Sequence, residues 1–524
     1  MIPYAKYPGL SPLFHDFLAG LPELYPDPPT LDAAADRGRT LLSAGARARV
    51  PAEAFRHRGG EAGEARRMAE DLAAGRAVAV STGQQVGVFT GPAFTLMKAL
   101  DTIHIAGELR RRGVAAVPVF WALTDDHDLQ EIARVAVPTP EGPREIVLEG
   151  ADRQNRKPVG RLPIPDRVGE VVDALRAGPA HAHPDAERIL DALAARSAPG
   201  VTYGEAFIET LLDLVDPDPL LVLDPLSTEV RPPTVEFFLM AVEKADAIAA
   251  TLRETAARLE RAGRPVPAPL PEGFSFFLID GDGRRRVTNL AEAVERVRSG
   301  KAFPSGDVIT RPILKSYLLP MAASVLGGAE IAYHAQSLPI FSLLGVTPPV
   351  LIPRTHVVIR GPVERRLASQ LQIPDEELLQ PPAAPPPAPV PQADALARIS
   401  EATTRELAAL GPDLERLDAT LSGALENATK KIVHQLDQLA ERARKAAERK
   451  GDVATNRRQR LFRSLLPSLD SIPAERVYTP LSAMLAFGKD EVLGAFRRVA
   501  GTGPSGAALV DLGLTPEEED THAG

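Results

Sequence analysis

Cysteine is absent from all 524 residues. That excludes disulfide staples, thiolate nucleophiles, iron–sulfur clusters and cysteine-ligated zinc. Aromatic residues are scarce, at 5% with a single Trp, while hydrophobic residues reach 44%. The core must therefore be aliphatic and largely built from helices, and a disordered chain of low hydrophobicity is excluded. An excess of positive charge is missing too: 60 Lys and Arg stand against 69 Asp and Glu, a net charge of -9. A nucleic-acid or acidic-membrane binder is not expected. No run of about 18 apolar residues occurs, and MIPYAKYPGLSPLFHDFLAG lacks a basic segment followed by an apolar one. The expectation is a soluble cytoplasmic protein. Two common phosphate cradles are lacking as well, the Gly-x-x-x-x-Gly-Lys-Ser/Thr loop and a strand followed by Gly-x-Gly-x-x-Gly.

What is present has the length of about three to four domain-sized units. Residues 64 to 75 read as a helix, and Val78 and Val80 begin a strand that runs into a glycine-containing turn. A helix follows from Pro92 to Gly113, and AAVPVFWAL reads as a second buried strand. Strand, turn, helix, strand is a βαβ unit with parallel strands. Further strands are expected in GPREIVLEG, around Val222 and around Phe277, separated by helical stretches such as residues 234 to 263. Residues 1–379 form one α/β body in this reading. QPPAAPPPAPVPQ, residues 380–392, is about half proline and reads as a stiff linker. In residues 393–452, Leu414, Leu417, Leu421, Leu425, Ala428, Ile432, Leu436, Leu439 and Ala443 recur at steps of three and four. This predicts a short helix, a break at Gly411-Pro412 and a long amphipathic helix, together a hairpin or coiled coil. Residues 453–524 read as a helical segment returning to the body and ending in a solvated tail.

Two polar turns follow strand carboxyl ends, where ligands bind in open α/β sheets. The first is Ser81-Thr82-Gly83-Gln84-Gln85, continuing to Thr90-Gly91-Pro92. Its glycines let backbone amides approach a ligand, and its two Gln can bond amino-acid or sugar groups. A tight turn with buried glutamines is the alternative. The second is Asp125-Asp126-His127-Asp128. Carboxylates beside an imidazole suit acid–base catalysis, orientation of an amine or a cation, whereas Asp126 or Asp128 could instead cap a helix. The pocket is expected between these turns, near Gln84, Thr90 and His127, with Tyr333 and Gln336 approaching from a later segment.

STGQQVGVFTGPAFTLMKALDTIHIA, VPVFWALTDDHDLQEIARV, RPILKSYLLPMAASVLGGAEIAYHAQ and IPAERVYTPLSAMLAFG closely resemble, in order, the BshC family, the cysteine-adding enzymes of bacillithiol biosynthesis. The resemblance spans nearly the whole chain. It departs at Thr124-Asp125, where Gly or Ala and Glu are usual, and at Gly328-Ala329-Glu330, where Gly-Pro-Gly-Glu is usual. It implies a Rossmann-like core with connecting insertions and a coiled coil that forms a homodimer. It also implies the reaction, in which the cysteine carboxyl is joined to the amine of glucosaminyl-malate.

On that reading His127 is the general base, oriented by Asp126 or Asp128, and no metal is assigned. Thr82, Gly83, Gln84, Gln85, Thr90, Gly91, Lys98, Tyr333, Gln336 and Arg354 bind substrates, with Lys98 and Arg354 meeting the malate carboxylates. Condensing a carboxylate with an amine in water is uphill, so ATP is the expected activator. Neither His-x-Gly-His nor Lys-Met-Ser-Lys-Ser occurs, and this expectation rests on energetics and fold analogy. Two other readings stay open: a metal-dependent hydrolase built on the Asp-Asp-His-Asp cluster, and a non-catalytic ligand-binding scaffold carrying a coiled coil.

Overall fold

A computed structural model describes residues 1–58, 63–140, 142–148, 156–269, 275–381, 390–418, 420–450, 453–468 and 472–514. Most of the proline-rich linker and the terminal tail lie outside the described residues. The chain divides into an α/β body, residues 1–365 with 375–379 and 463–524, and a helical unit, residues 366–374 with 380–462. Among the described residues no helix is long and apolar enough to cross a membrane.

The body is organised by a six-stranded sheet. In chain order its strands are β1 (Phe55–Arg58), β2 (Val78–Gln84), β3 (Ala116–Ala122), β4 (Leu220–Leu223), β5 (Met321–Leu326) and β6 (Val350–Pro353). Their spatial order is β1-β4-β3-β2-β5-β6, with β1 antiparallel to β4 and every other pair parallel. Both faces are covered, so β3 and β5 are buried from end to end and read as continuous apolar runs rather than alternating ones. Phe120 packs into the core on one face and its neighbour Trp121 into the core on the other.

Helix α1 (Phe94–Arg111) connects β2 to β3, which pair over seven residues from Val78 opposite Ala116 to Gln84 opposite Ala122. The βαβ unit expected from the sequence is present. Helix α2 (Arg311–Leu318) precedes β5, and helix α3 (Gly328–Leu344) connects β5 to β6. From β2 the chain moves to β3 on one side, and from β5 it moves to β6 on the other. The boundary between β2 and β5 is thus the topological switch point, where a crevice opens beyond the strand carboxyl ends.

Two of the expected strands lie outside the six-stranded sheet, and two other expectations are corrected. GPREIVLEG supplies the strand Gly142–Val147, which pairs antiparallel with Arg134–Thr139 in a separate two-stranded sheet. The strand Phe276–Asp280 belongs to a small three-stranded sheet with Gly283–Arg286 and Phe303–Gly306. Residues 234 to 263 split into two helices at Lys244. The carboxyl-terminal part of the body contains a strand, Ala507–Asp511, parallel to His356–Arg360.

In the helical unit, α4 (Pro391–Leu417) and α5 (Thr420–Lys450) form an antiparallel hairpin. The break expected at Gly411-Pro412 does not occur: α4 runs through Pro412 and ends where Asp418 turns extended. A proline removes one N–H bond from the ladder, and the packing of α4 along α5 carries the helix through it. One face of the hairpin is closed by half-buried Leu414, Leu425 and Leu436. Another stripe stays in solvent, with Leu417 78% and Leu439 51% exposed beside Leu421 and Ile432.

Candidate active site

A cavity of about 580 Å³ opens at the switch point. Gly83, Gln84 and Gln85 at the end of β2, Lys98 of α1, Arg311 and Lys315 of α2, and Gly327 to Glu330 at the start of α3 all line it. Gly83 is required by β3 rather than by a ligand, since an added Cβ would fall 2.9 Å from the Trp121 carbonyl oxygen. Beyond it the turn is strained, with Phe89 and Thr90 at φ 52° and 71°.

Lys98 is almost fully buried, and its Nζ donates to Gly83 O at 3.0 Å, Gln84 Oε1 at 3.0 Å and Glu330 Oε2 at 2.5 Å. The same Glu330 oxygen accepts the Gly327 N–H at 2.8 Å, closing the first turn of α3. Burial lowers the Lys98 pKa, and Glu330 works against that. Burial disfavours the Glu330 carboxylate, but Lys98 and the Gly327 amide override it and hold its pKa below the usual value. Lys315 Nζ lies 3.3 Å from Thr82 O. His334, on the next turn of α3, donates from Nδ1 to the Glu330 carbonyl oxygen at 2.8 Å, and burial pulls its pKa down to about 4.

The Asp-Asp-His-Asp turn forms an ion-pair node at the cavity's side. Asp126 lies 3.2 Å from Arg284 and 3.5 Å from Arg311. Burial opposes its charge, but the two guanidiniums and the His127 backbone N–H, which donates to Asp126 at 2.7 Å, hold its carboxyl far below the ordinary range. Asp125 accepts from Ser305 at 2.5 Å. Asp128 caps the short helix Leu129–Ile132 by accepting the Glu131 N–H. His127 Nδ1 lies 2.8 Å from an Arg284 nitrogen, and its ring packs on Phe277. A guanidinium only donates, so Nδ1 is the acceptor and the neutral ring carries its hydrogen on Nε2. Among the described residues no group of three or more His, Asp or Glu is arranged to hold a metal ion.

On the opposite side Arg354 lies over the Phe94 ring and makes two bonds to Glu475, at 3.0 and 2.9 Å. Glu475 also accepts from the Val357 N–H and the Tyr7 hydroxyl and bonds His356. Burial opposes its ionisation, yet Arg354 and His356 hold its pKa far below the carboxylate range.

The structure thus brings Gly83, Gln84, Gln85, Lys98, Asp126, Tyr333 and Arg354 to one cavity. Thr82, Thr90, Gly91, His127, Asp128 and Gln336 do not line it. Thr82 is buried and donates to Val325 O. Gln336 is fully buried because it clips both polar groups of the Ala268 backbone, at 2.7 and 3.0 Å. Thr90 and Gly91 shape the strained turn, and His127 sits behind Asp126 against Arg284. Sequence reasoning missed Arg311, Lys315, Arg284 and Glu475. A signal existed for Arg311 alone: a cation at the first position of a short helix opposes its dipole, which calls for a reason, whereas Lys315 lies in the last turn, where a cation suits it.

The fold and cavity define a Rossmann-like α/β enzyme carrying a helical hairpin. Residues 52–355 match the family described as "Bacillithiol biosynthesis BshC, N-terminal Rossmann-like domain", and residues 391–494 match "Bacillithiol biosynthesis BshC, C-terminal coiled-coil domain". The chain belongs to the BshC family. Similar proteins, each named "Putative cysteine ligase BshC", include one from Koribacter versatilis, 29% identical over 89% of this chain and 91% of its own. A second, from Solibacter usitatus, is 28% identical over 79% and 80%. A third, from Desulforamulus reducens, is 30% identical over 58% and 59%.

Proposed function

We propose that this cavity joins cysteine, through its carboxyl group, to the amine of glucosaminyl-malate, forming the amide of bacillithiol as the last step of its synthesis. The observation that carries this reading, beside family membership, is the excess of fixed cations on one cavity: Lys98, Arg311, Arg354 and Arg476 stand against Asp126, Glu131 and Glu330. Malate brings two carboxylates, and a cavity of this charge suits a dianion better than a neutral ligand. The start of α3 adds the positive end of a helix. Gln84, Gln85 and Tyr333 supply neutral hydrogen bonds for sugar hydroxyls and the cysteine amine.

Amide formation from a free carboxylate needs activation, and a nucleoside triphosphate is the co-substrate this reading requires. The chain's own part is to hold the carboxylates, exclude water and move one proton. The test is incubation of the purified chain with cysteine, glucosaminyl-malate and ATP. The expected product has the summed mass of the two joined substrates less one water. No such product at any substrate concentration would sink the reading.

The same reading includes a homodimer formed through the helical unit. Leu417, Leu421, Ile432 and Leu439 are left in water in the single chain, and covering each by a second copy gains up to roughly 1.5–3 kcal/mol.

A further inference from the structure

Two lysines are buried at the same cavity, and they are bonded very differently. An ammonium has three protons to donate, and Lys98 gives all three, to Gly83 O, Gln84 Oε1 and Glu330 Oε2. It has no donor left for a ligand and serves to hold Glu330 and Gln84 in place. Lys315 is 8% exposed, and among the described residues its Nζ has one hydrogen-bond partner, the Thr82 carbonyl oxygen. No described carboxylate lies within ion-pair distance of it.

The groups facing Lys315 come from every neighbouring element. Arg311 lies one turn back on α2, Lys98 comes from α1, Glu330 and His334 come from α3, and β2 offers only the Thr82 carbonyl. The one carboxylate in this set is already engaged by Lys98 and the Gly327 amide. Such surroundings favour a neutral amine. Burial pulls the Lys315 pKa down to about 7, with Lys98 and Arg311 adding to the shift and Glu330 opposing it. A buried amine poised near neutral pH is a competent base. His334, at about 4, is too weak a base for the same task, and His127 has Nδ1 occupied by Arg284.

We propose that Lys315 is the general base of this cavity, taking the proton released when an amine attacks an activated carboxyl group. This role rests on the ligase reading of the same cavity. In the activated group a carboxylate oxygen has attacked a phosphorus of a nucleoside triphosphate, a phosphoanhydride P–O bond has broken, and pyrophosphate or a nucleoside diphosphate has left, giving a mixed acyl–phosphoric anhydride. The amine nitrogen attacks the acyl carbon, the C–N bond forms, and the C–O bond to phosphorus breaks. The phosphate-bearing group leaves with the electron pair. The proton on the new amide nitrogen passes to the neutral Nζ, and the resulting ammonium is held by the Thr82 carbonyl until it returns the proton to solvent.

The experiment compares the wild-type chain with Lys315→Met and Lys315→Arg, using cysteine, glucosaminyl-malate and ATP across pH, with a thermal melt of each. Wild-type kcat should rise with pH and level off above about 7. Both variants should lose about 10²- to 10⁴-fold in kcat, keep KM within a few-fold, and lose the pH-dependent rise. Added methylamine should restore part of the rate to Lys315→Met. Lys315→Arg keeps the charge but cannot deprotonate, so an active Lys315→Arg overturns the proposal in favour of a fixed cation. If Lys315→Met fails to fold, Lys315→Arg still decides. An active wild type whose variants keep both rate and pH profile overturns the proposal alone, whereas an inactive wild type overturns the ligase reading and the base with it.

Discussion

Lys98 and Glu330 form an ion pair, 2.5 Å apart, that ties the helix after β2 to the helix after β5 directly across the switch point. The two partners are unequal: the Lys98 side chain is 2% exposed and that of Glu330 37%. Removing a partner from a buried pair costs most when the charge left behind is the one without water, about 3–5 kcal/mol in fully buried cases. Glu330→Gln should therefore destabilise the body more than Lys98→Met. The double variant should lose less than the sum of the two, because neither charge is then left alone. Denaturant midpoints for the three proteins check this, and equal losses for the two single variants would contradict it.

Glu475 gives a second test through its bonds to Arg354, His356, Tyr7 and the Val357 amide. Its folded-state pKa is depressed, so its contribution to stability is present above the unfolded carboxylate value and is lost as pH falls. Glu475→Gln leaves Arg354, which is 4% exposed, without its counter-charge. The expected loss is about 3–5 kcal/mol near neutral pH. That gap should narrow below about pH 4.5, where the unfolded carboxylate takes up its proton. A constant gap between pH 7 and acid would show that the charge of Glu475 does not matter.

Lys315 has the opposite sign. Its folded-state pKa of about 7 lies below the 10.5 of the free side chain. Between those values the unfolded chain binds a proton that the folded chain does not, so stability rises with pH. The penalty for burying the ammonium is full below about pH 7 and fades toward 10.5. Lys315→Met should thus be more stable than wild type near neutral and slightly acid pH, while losing activity. Its advantage should shrink in urea melts taken between about pH 7 and about pH 10. A stability gain independent of pH would mean that the lysine is buried without its charge being penalised.

For the helical unit, Ile432 and Leu439 are the informative positions, because both lie in solvent within the single chain. Replacing both by Asp should give monomers by light scattering with helix content unchanged by circular dichroism. Leu425, which packs near Gly411 inside the hairpin, is a poorer choice, since its loss would also disturb the unit itself. A dimer that survives the double Asp variant would place the interface elsewhere.

The βαβ unit was legible because Val78 to Val80 and Ala116 to Ala122 are apolar runs bounded by polar turns, with a clear helical period between them. The edge of the sheet that carries the cavity followed from the same pattern. Which polar side chains reach the cavity did not. Gln336 and Tyr333 lie three residues apart on α3, yet one is spent on the Ala268 backbone and the other lines the cavity. Periodicity gives a face, not the neighbour that covers it. Lys315 lies in the last turn of α2, where a cation needs no special reason, and its burial comes from α2 packing at the end of β2, a contact made over more than two hundred residues of sequence. Pro412 misled for a related reason, since the packing of α4 along α5 carries the helix through a local breaker.

The most direct measurement is product formation by the purified wild-type chain and by Ala329→Trp, assayed by mass with cysteine and glucosaminyl-malate, with and without ATP. Ala329 lines the cavity as an exposed residue in the first turn of α3, so a tryptophan there fills space without removing a charge or a hydrogen bond. The wild type should form the amide only with ATP, and Ala329→Trp should fold normally and form little or none. Amide formed equally well by the folded Ala329→Trp chain would place the chemistry outside this cavity, and no amide from the wild type would contradict the ligase reading itself.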